Sequence, residues 1–154
     1  MAEVFRTTFR VRLDDVDYAR VLYFARQIHF CMVALEDFFR DGLGLPWQRM
    51  LDEDHLVMPT VNVQVSYHHP LKYEDEGQIA VTVGRIGTRS ARFDYEVTHT
   101  GSGRRTCTAQ HSVAFADTRS WKTCPIPERY RRAFERFLAP RPALNSGPHE
   151  ETAT

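Results

Sequence analysis

Charge of one sign is missing from this sequence: 20 Lys and Arg stand against 20 Asp and Glu, for a formal net charge of +0. No field of the whole molecule gathers polyanions, so neither nucleic acid nor a membrane surface is an expected partner, and any anion site has to be a local cluster. Cysteine is scarce. Cys31, Cys107 and Cys124 form no CxxC pair and are odd in number, which argues against a disulfide framework or a zinc site and for a reducing compartment. No apolar run reaches the length that a bilayer demands. The opening Met-Ala-Glu-Val-Phe-Arg has no apolar stretch behind a basic one, so no signal peptide is expected. These absences leave a cytoplasmic protein as the expectation. The 154 residues suit one domain, placed at 1–139, with a disordered tail over 140–154, where Pro, Asn, Ser and Thr accumulate.

What is present is patterned. Phe5, Thr7, Phe9, Val11 and Leu13 alternate with polar residues, which predicts a half-buried strand. Val21, Phe24, Ala25, Ile28, Met32, Leu35 and Phe39 recur at steps of three and four, which predicts a helix over 21–41 stopped by Gly42. Leu22, Cys31 and Phe38 broaden the apolar stripe, and Arg26, Gln27, Glu36, Asp37 and Arg40 are its wet edge. So wide a stripe predicts a helix gripped by sheet on more than one side. Alternation returns over 57–67, with Val57, Val61, Val63, Val65 and Tyr67 on one face and Pro59 marking an edge strand. Further strands are predicted around Ile79–Val83, Phe93–Val97 and Cys107–Phe115, with breaks at Gly87-Thr88 and Gly101-Ser102-Gly103. A last helix opens at Pro127 and carries Tyr130, Phe134, Phe137 and Leu138. The order is that of an α+β fold: an antiparallel sheet of about five strands wrapped around one long central helix, with a short C-terminal helix. Its free edge invites extension across a dimer.

Asp17-x-x-x-Val21-Leu22-Tyr23-Phe24, following an alternating strand, resembles the opening motif of the hot-dog fold acyl-CoA thioesterases of the 4-hydroxybenzoyl-CoA thioesterase-like family. The likeness continues through Gly42-Leu43-Gly44-Leu45-Pro46-Trp47 and through Tyr67-His68-His69-Pro70-Leu71-Lys72-Tyr73-Glu74-Asp75. It implies hydrolysis of an acyl-CoA or acyl-carrier thioester, with no cofactor beyond the coenzyme A of the substrate. It also implies a homodimer with the site shared between subunits, and tetramers of two dimers. The family usually has glycine where this chain has Arg20, so either the turn is reshaped or Arg20 reaches the site.

Thioester hydrolysis needs an activated water or nucleophile and a partner for the developing oxyanion. Asp17 suits the first task, as general base or as nucleophile. Backbone N–H groups at a helix start suit the second, here those near Tyr23 and Phe24. Asp14 and Asp15 are candidates by proximity, and any of these carboxylates would serve equally as a structural helix cap. Ile28, Met32, Cys31 and Leu35 would offer an uncharged wall to an apolar or aromatic acyl group, though core packing alone explains them. Trp47 either lines that pocket or pins its loop. Arg89-Ser90 resembles the basic-Ser element with which this family meets nucleotide phosphates; Arg92 and Arg85 stand beside it, Arg104 and Arg105 form a second cluster, and the bland reading of each is a solvated turn. His68-His69 would point to opposite faces of a strand, so no metal site is expected. Two other readings share the fold: an enoyl-thioester hydratase or dehydratase, for which no His neighbours Asp17, and a non-catalytic acyl-thioester or acyl-carrier binding protein.

Overall fold

The computed structural model describes residues 1–140, so all but the first residue of the expected tail lies outside the described residues. In chain order the elements are β1 (Phe5–Arg10), α1 (Phe24–Asp37), α2 (Trp47–Asp52), β2 (Leu56–Val57), β3 (Thr60–Tyr67), β4 (Glu76–Ile86), β5 (Ser90–His99), β6 (Arg105–Ala114), β7 (Ala116–Asp117) and α3 (Glu128–Glu135). Five strands form one antiparallel sheet in the order β1-β4-β5-β6-β3, and β2 pairs with β7 in a separate ribbon. The α+β arrangement is the expected one, with α1 laid against a face of the sheet.

Alternation fixes which face is which. Phe93, Tyr95 and Val97 of β5 and Cys107, Ala109, His111 and Val113 of β6 are buried. They share a face because side chains one residue apart point oppositely. β3 continues that face, with Val63 opposite His111, Val65 opposite Ala109 and Tyr67 opposite Cys107. Yet Val63 is 38 % exposed and Tyr67 46 %, because β3 is the sheet's edge and receives little cover from α1.

The helix differs from its expected form in three respects. It starts at Phe24 rather than Val21, since 16–22 forms a small hairpin whose ends meet in a Val16–Leu22 bridge. Its buried side is Gln27, Cys31, Ala34 and Leu35, continued by Phe38 and Phe39. The apolar stripe of the sequence is therefore turned by about one residue, or about 100°, and Phe24, Ala25, Ile28 and Met32 are left exposed or half-buried. A single sheet grips one side only. The helix also passes Asp37 into a wide turn, Phe38–Gly42, and the residue with positive φ is Gly44 (φ 68°), not Gly42. Gly42 serves by its size, because a Cβ there would come within 2.9 Å of the Phe38 ring.

Candidate active site

The site is built around the start of α1. In the hairpin before it, the Asp17 N–H donates to the Val21 carbonyl (3.0 Å) and the Arg20 N–H to the Asp17 carbonyl (2.9 Å). Asp17 Oδ1 accepts the Ala19 N–H at 2.8 Å, and Oδ2 has no partner among the described residues. Arg20 holds φ at 64°. The turn thus has at Arg20 the left-handed conformation for which glycine is the easy choice, and the Arg20 side chain is exposed. The hairpin is tied inward by the Leu22 N–H, which donates to the Leu71 carbonyl at 2.7 Å, and Leu22, Leu71 and Val11 form a small buried cluster of their own.

Asp15 is a structural carboxylate. It is buried, accepts the Arg12 N–H at 2.8 Å through Oδ2, and takes Arg26 Nε (2.9 Å) and Nη2 (2.7 Å) on Oδ1. Its carbonyl accepts the Tyr23 N–H at 2.9 Å. The Tyr23 amide is therefore occupied, which removes it from the two expected oxyanion donors. The Tyr23 carbonyl accepts the N–H groups of Arg26 and Gln27 at 2.9 and 3.3 Å. The N–H groups of Phe24 and Ala25 have no partner among the described residues. They are the unsatisfied donors of a helix start, carrying the positive end of its dipole.

A cavity of about 210 Å³ opens here, lined by Leu22, Phe24, Gln27, Tyr67, His68, His69, Pro70 and Thr106. Aromatic faces dominate its rim: Phe24 and Tyr67 meet edge to face at 6.3 Å, and the Tyr67 hydroxyl donates to the Phe24 carbonyl at 3.1 Å. In its floor, Gln27 Nε2 donates to Thr106 Oγ1 at 2.9 Å, and that hydroxyl donates to the Val97 carbonyl at 3.3 Å. Gln27 is buried, not part of a wet edge, and Gln27 and Thr106 went unnoticed as site residues in the sequence. The available signal was a polar residue in register with Cys31, Ala34 and Phe38 on the helix. Asp17 does not line the cavity. It stands in the adjoining turn, connected through Leu22.

The remaining candidates separate. Ile28 and Met32 lie half-buried one and two turns along α1. Trp47 meets Phe39 at a tilt, with ring centroids 5.9 Å apart, and Phe39 is 15 residues, or roughly 22 Å, along the helix from Phe24. Trp47 lines a different, apolar cavity of about 180 Å³ with Met50, Leu51, Leu56, Val57 and Met58. Arg92 is spent on the buried Asp94, with Nε and Nη2 donating at 2.8 and 3.2 Å. Arg89 Nη1 donates to the Thr123 carbonyl at 2.8 Å, and Ser90 Oγ accepts Arg85 Nη2 at 3.4 Å. Ser90 and Val97 are at opposite ends of β5, roughly 23 Å apart at about 3.3 Å per residue, so within one chain Arg89 and Ser90 do not reach Phe24. Cys31 is buried, and its hydrogen-bonded neighbour Cys107 and its burial hold the thiol well above its ordinary range.

The sequence profile of the thioesterase-like superfamily matches residues 11–134. A 1,4-dihydroxy-2-naphthoyl-CoA hydrolase of Synechococcus elongatus is 28 % identical over 120 residues, covering 77 % of this chain and 86 % of the relative. Among solved structures, a 1,4-dihydroxy-2-naphthoyl-CoA thioesterase from Synechocystis superposes with a TM-score of 0.79 at 22 % identity, over 86 % of this chain and 96 % of the other. A thioesterase-superfamily protein from Jannaschia sp. CCS1 gives 0.81 at 19 %, over 88 % and 94 %. This chain belongs to the thioesterase-like superfamily, and its fold is the hot-dog fold.

Proposed function

We propose that the protein hydrolyses an aromatic acyl-CoA at the start of α1, with Asp17 supplying the attack and the Phe24 N–H holding the oxyanion. The observation that carries this is the N–H of Phe24, a residue that lines the cavity, which like the N–H of Ala25 has no partner among the described residues, together with Asp17 in the adjoining turn, whose Oδ2 likewise has none there. As the carbonyl carbon turns tetrahedral, its oxygen gains charge that a preorganised N–H meets without reorganising. Asp17 either draws a proton from an attacking water or attacks directly to form a mixed anhydride that water then cleaves; both routes end with the C–S bond broken and CoA leaving as the thiol. The tie from Asp17 Oδ1 to Ala19 N–H keeps the carboxylate in one orientation and leaves Oδ2 to act.

An aromatic acyl group is supported by the Phe24 and Tyr67 faces, by the uncharged Ile28 and Met32 beyond them, and by the naphthoyl substrate of the cyanobacterial relatives. The cavity is small for such a ligand, since pockets that bury one run to roughly 300 Å³ or more. Phe24, 55 % exposed, and the apolar face of β3 stand open beside it. A second copy paired through β3 would cover both and finish the pocket, so the proposal includes a homodimer. Free cysteines suit the cytoplasm, and among the described residues no helix is long and apolar enough to cross a membrane.

The test is thiol release from benzoyl-, hydroxybenzoyl-, phenylacetyl-, naphthoyl- and aliphatic CoA thioesters by the wild type and Asp17→Asn. The expected result is turnover of the aromatic members and a loss of ~10²–10⁴ in kcat in the variant, with CoA-thioester binding retained. Unchanged turnover in Asp17→Asn would move the catalyst elsewhere.

A further inference from the structure

The cavity at the helix start has a neighbour. His69 and Pro70 border both it and a second, larger cavity of about 520 Å³, lined by His69, Pro70, Lys72, Asp75, His99 and Arg104. Across Pro70 the lining changes from aromatic and apolar to basic. Lys72 and Arg104 are exposed and have no carboxylate partner among the described residues, whereas Arg26 is taken by Asp15 and Arg105 by Glu96. The one acid of the cavity, Asp75, is engaged. Its Oδ2 accepts the Lys72 N–H at 2.8 Å, and its Oδ1 lies 3.5 Å from His99 Nε2. Two cations and two imidazoles thus face one occupied carboxylate.

Both cations stand on fixed turns. The Asp75 N–H donates to the Lys72 carbonyl at 3.0 Å, closing the turn before β4. In the β5–β6 hairpin the His99 N–H donates to the Arg104 carbonyl at 2.8 Å, the Gly103 N–H to the His99 carbonyl at 2.8 Å, and Ser102 Oγ contacts His99 Nδ1 at 2.7 Å. The Thr100 N–H joins the two turns by donating to the Glu76 carbonyl at 3.0 Å. A basic pocket with preformed walls suits a phosphate, which guanidinium and ammonium groups bind through charge-assisted hydrogen bonds.

We infer that Lys72 and Arg104, with His69, hold phosphate at the far end of the substrate's pantetheine arm, on the same chain that supplies the Phe24 N–H, while His99 braces the pocket wall through Asp75 and Ser102. This rests on the acyl-CoA reading. It places the phosphate site across Pro70 from the reacting carbonyl, at the basic cavity lined by Lys72 and Arg104.

Two readouts test it on the full-length protein. Steady-state kinetics compare a benzoyl-CoA thioester with the same acyl group on pantetheine, which has no phosphate. Calorimetry titrates free CoA and pantetheine. For K72Q/R104Q the expected results are a KM for the CoA thioester raised roughly tenfold or more, an unchanged kcat, an unchanged KM for the pantetheine thioester, and weaker binding of CoA alone. An unchanged KM and CoA affinity would overturn the inference. So would an equal loss with both thioesters, or a loss seen in Arg89→Gln and not in K72Q/R104Q. If the wild type hydrolyses neither thioester, the thioesterase reading fails, and the CoA titrations still decide the pocket.

Discussion

The two ends of α1 are opposites. At the C-terminal end, Phe38, Phe39, Phe93, Phe134 and Phe137 are all buried, and their rings meet at 4.9 Å (Phe38–Phe137), 5.5 Å (Phe93–Phe134) and 5.8 Å (Phe39–Phe93). At the N-terminal end Phe24 and Tyr67 also touch, yet about half of each is in water, and two backbone donors have no partner among the described residues. One end of the helix is finished by its own chain, and the other is left for something else to finish. Aromatic packing of the first kind gives rigidity, because edge-to-face rings fill space without voids. That rigidity lets the second end keep unsatisfied donors in place, which an isolated helix start would lose to fraying.

Breaking the finished end has the largest effect. Phe93 contacts Phe38, Phe39 and Phe134, and truncating it leaves a cavity that the surrounding rings cannot fill. Phe93→Ala is expected to lose about 3–5 kcal/mol of stability in urea denaturation. A loss below about 1 kcal/mol would show that this cluster is not the anchor.

The open end is tested by removing one donor, with the loss of the side chain controlled separately. Phe24 is the first helical residue, and its N–H has no intrahelical partner, so proline is tolerated there. Tyr23 already has ψ at 133°, the extended conformation that a following proline imposes. Phe24→Pro is therefore expected to keep its thermal midpoint near that of wild type and to lose ~10²–10³ in kcat. Because the ring is lost too, Phe24→Ala is the control: it removes the ring, keeps the N–H, and is expected to act mainly on KM. Equal kcat in Pro and Ala variants would remove the N–H from the mechanism.

The same contrast explains what was legible in the sequence. Strand alternation in β5 and β6 is driven by burial on one face, and residues such as Phe93, Tyr95, Cys107 and Val113 fell where the period of two put them. The helix stripe was misplaced because Phe24, Ala25 and Ile28 are apolar without being buried. Their period is helical, but their cover is not in this chain, and hydrophobicity alone does not say which of two apolar sides meets the sheet. For the same reason the sequence places Gln27 on the wet edge, although it is buried. The proposed site is half legible: Asp17 and Phe24 belong to a contiguous motif, whereas Gln27 and Thr106 meet only because α1 packs on the sheet, and Lys72 and Arg104 only because two turns border one cavity. Arg92 shows the reverse error. A basic residue in a strand gives no sign that it neutralises a buried acid two residues on.

Arg20 gives the smallest and sharpest test of the contrast. It holds φ at 64° in the turn that carries Asp17, and a left-handed conformation costs a side-chain-bearing residue roughly 1–2 kcal/mol, which glycine avoids at some cost in chain entropy. Arg20→Gly is expected to raise stability by about 0.5–1 kcal/mol in the same urea titration, because no ion pair to Arg20 is lost among the described residues. Its kcat is expected to stay at the wild-type level, since the hydrogen bonds that set Asp17 come from the backbone of Val21, Arg20 and Ala19. Stability gained with activity kept would mean that the open end tolerates strain that does nothing for the chemistry. Stability gained with kcat lost would mean that the Arg20 side chain acts on the substrate, and that the turn is strained for the sake of that contact.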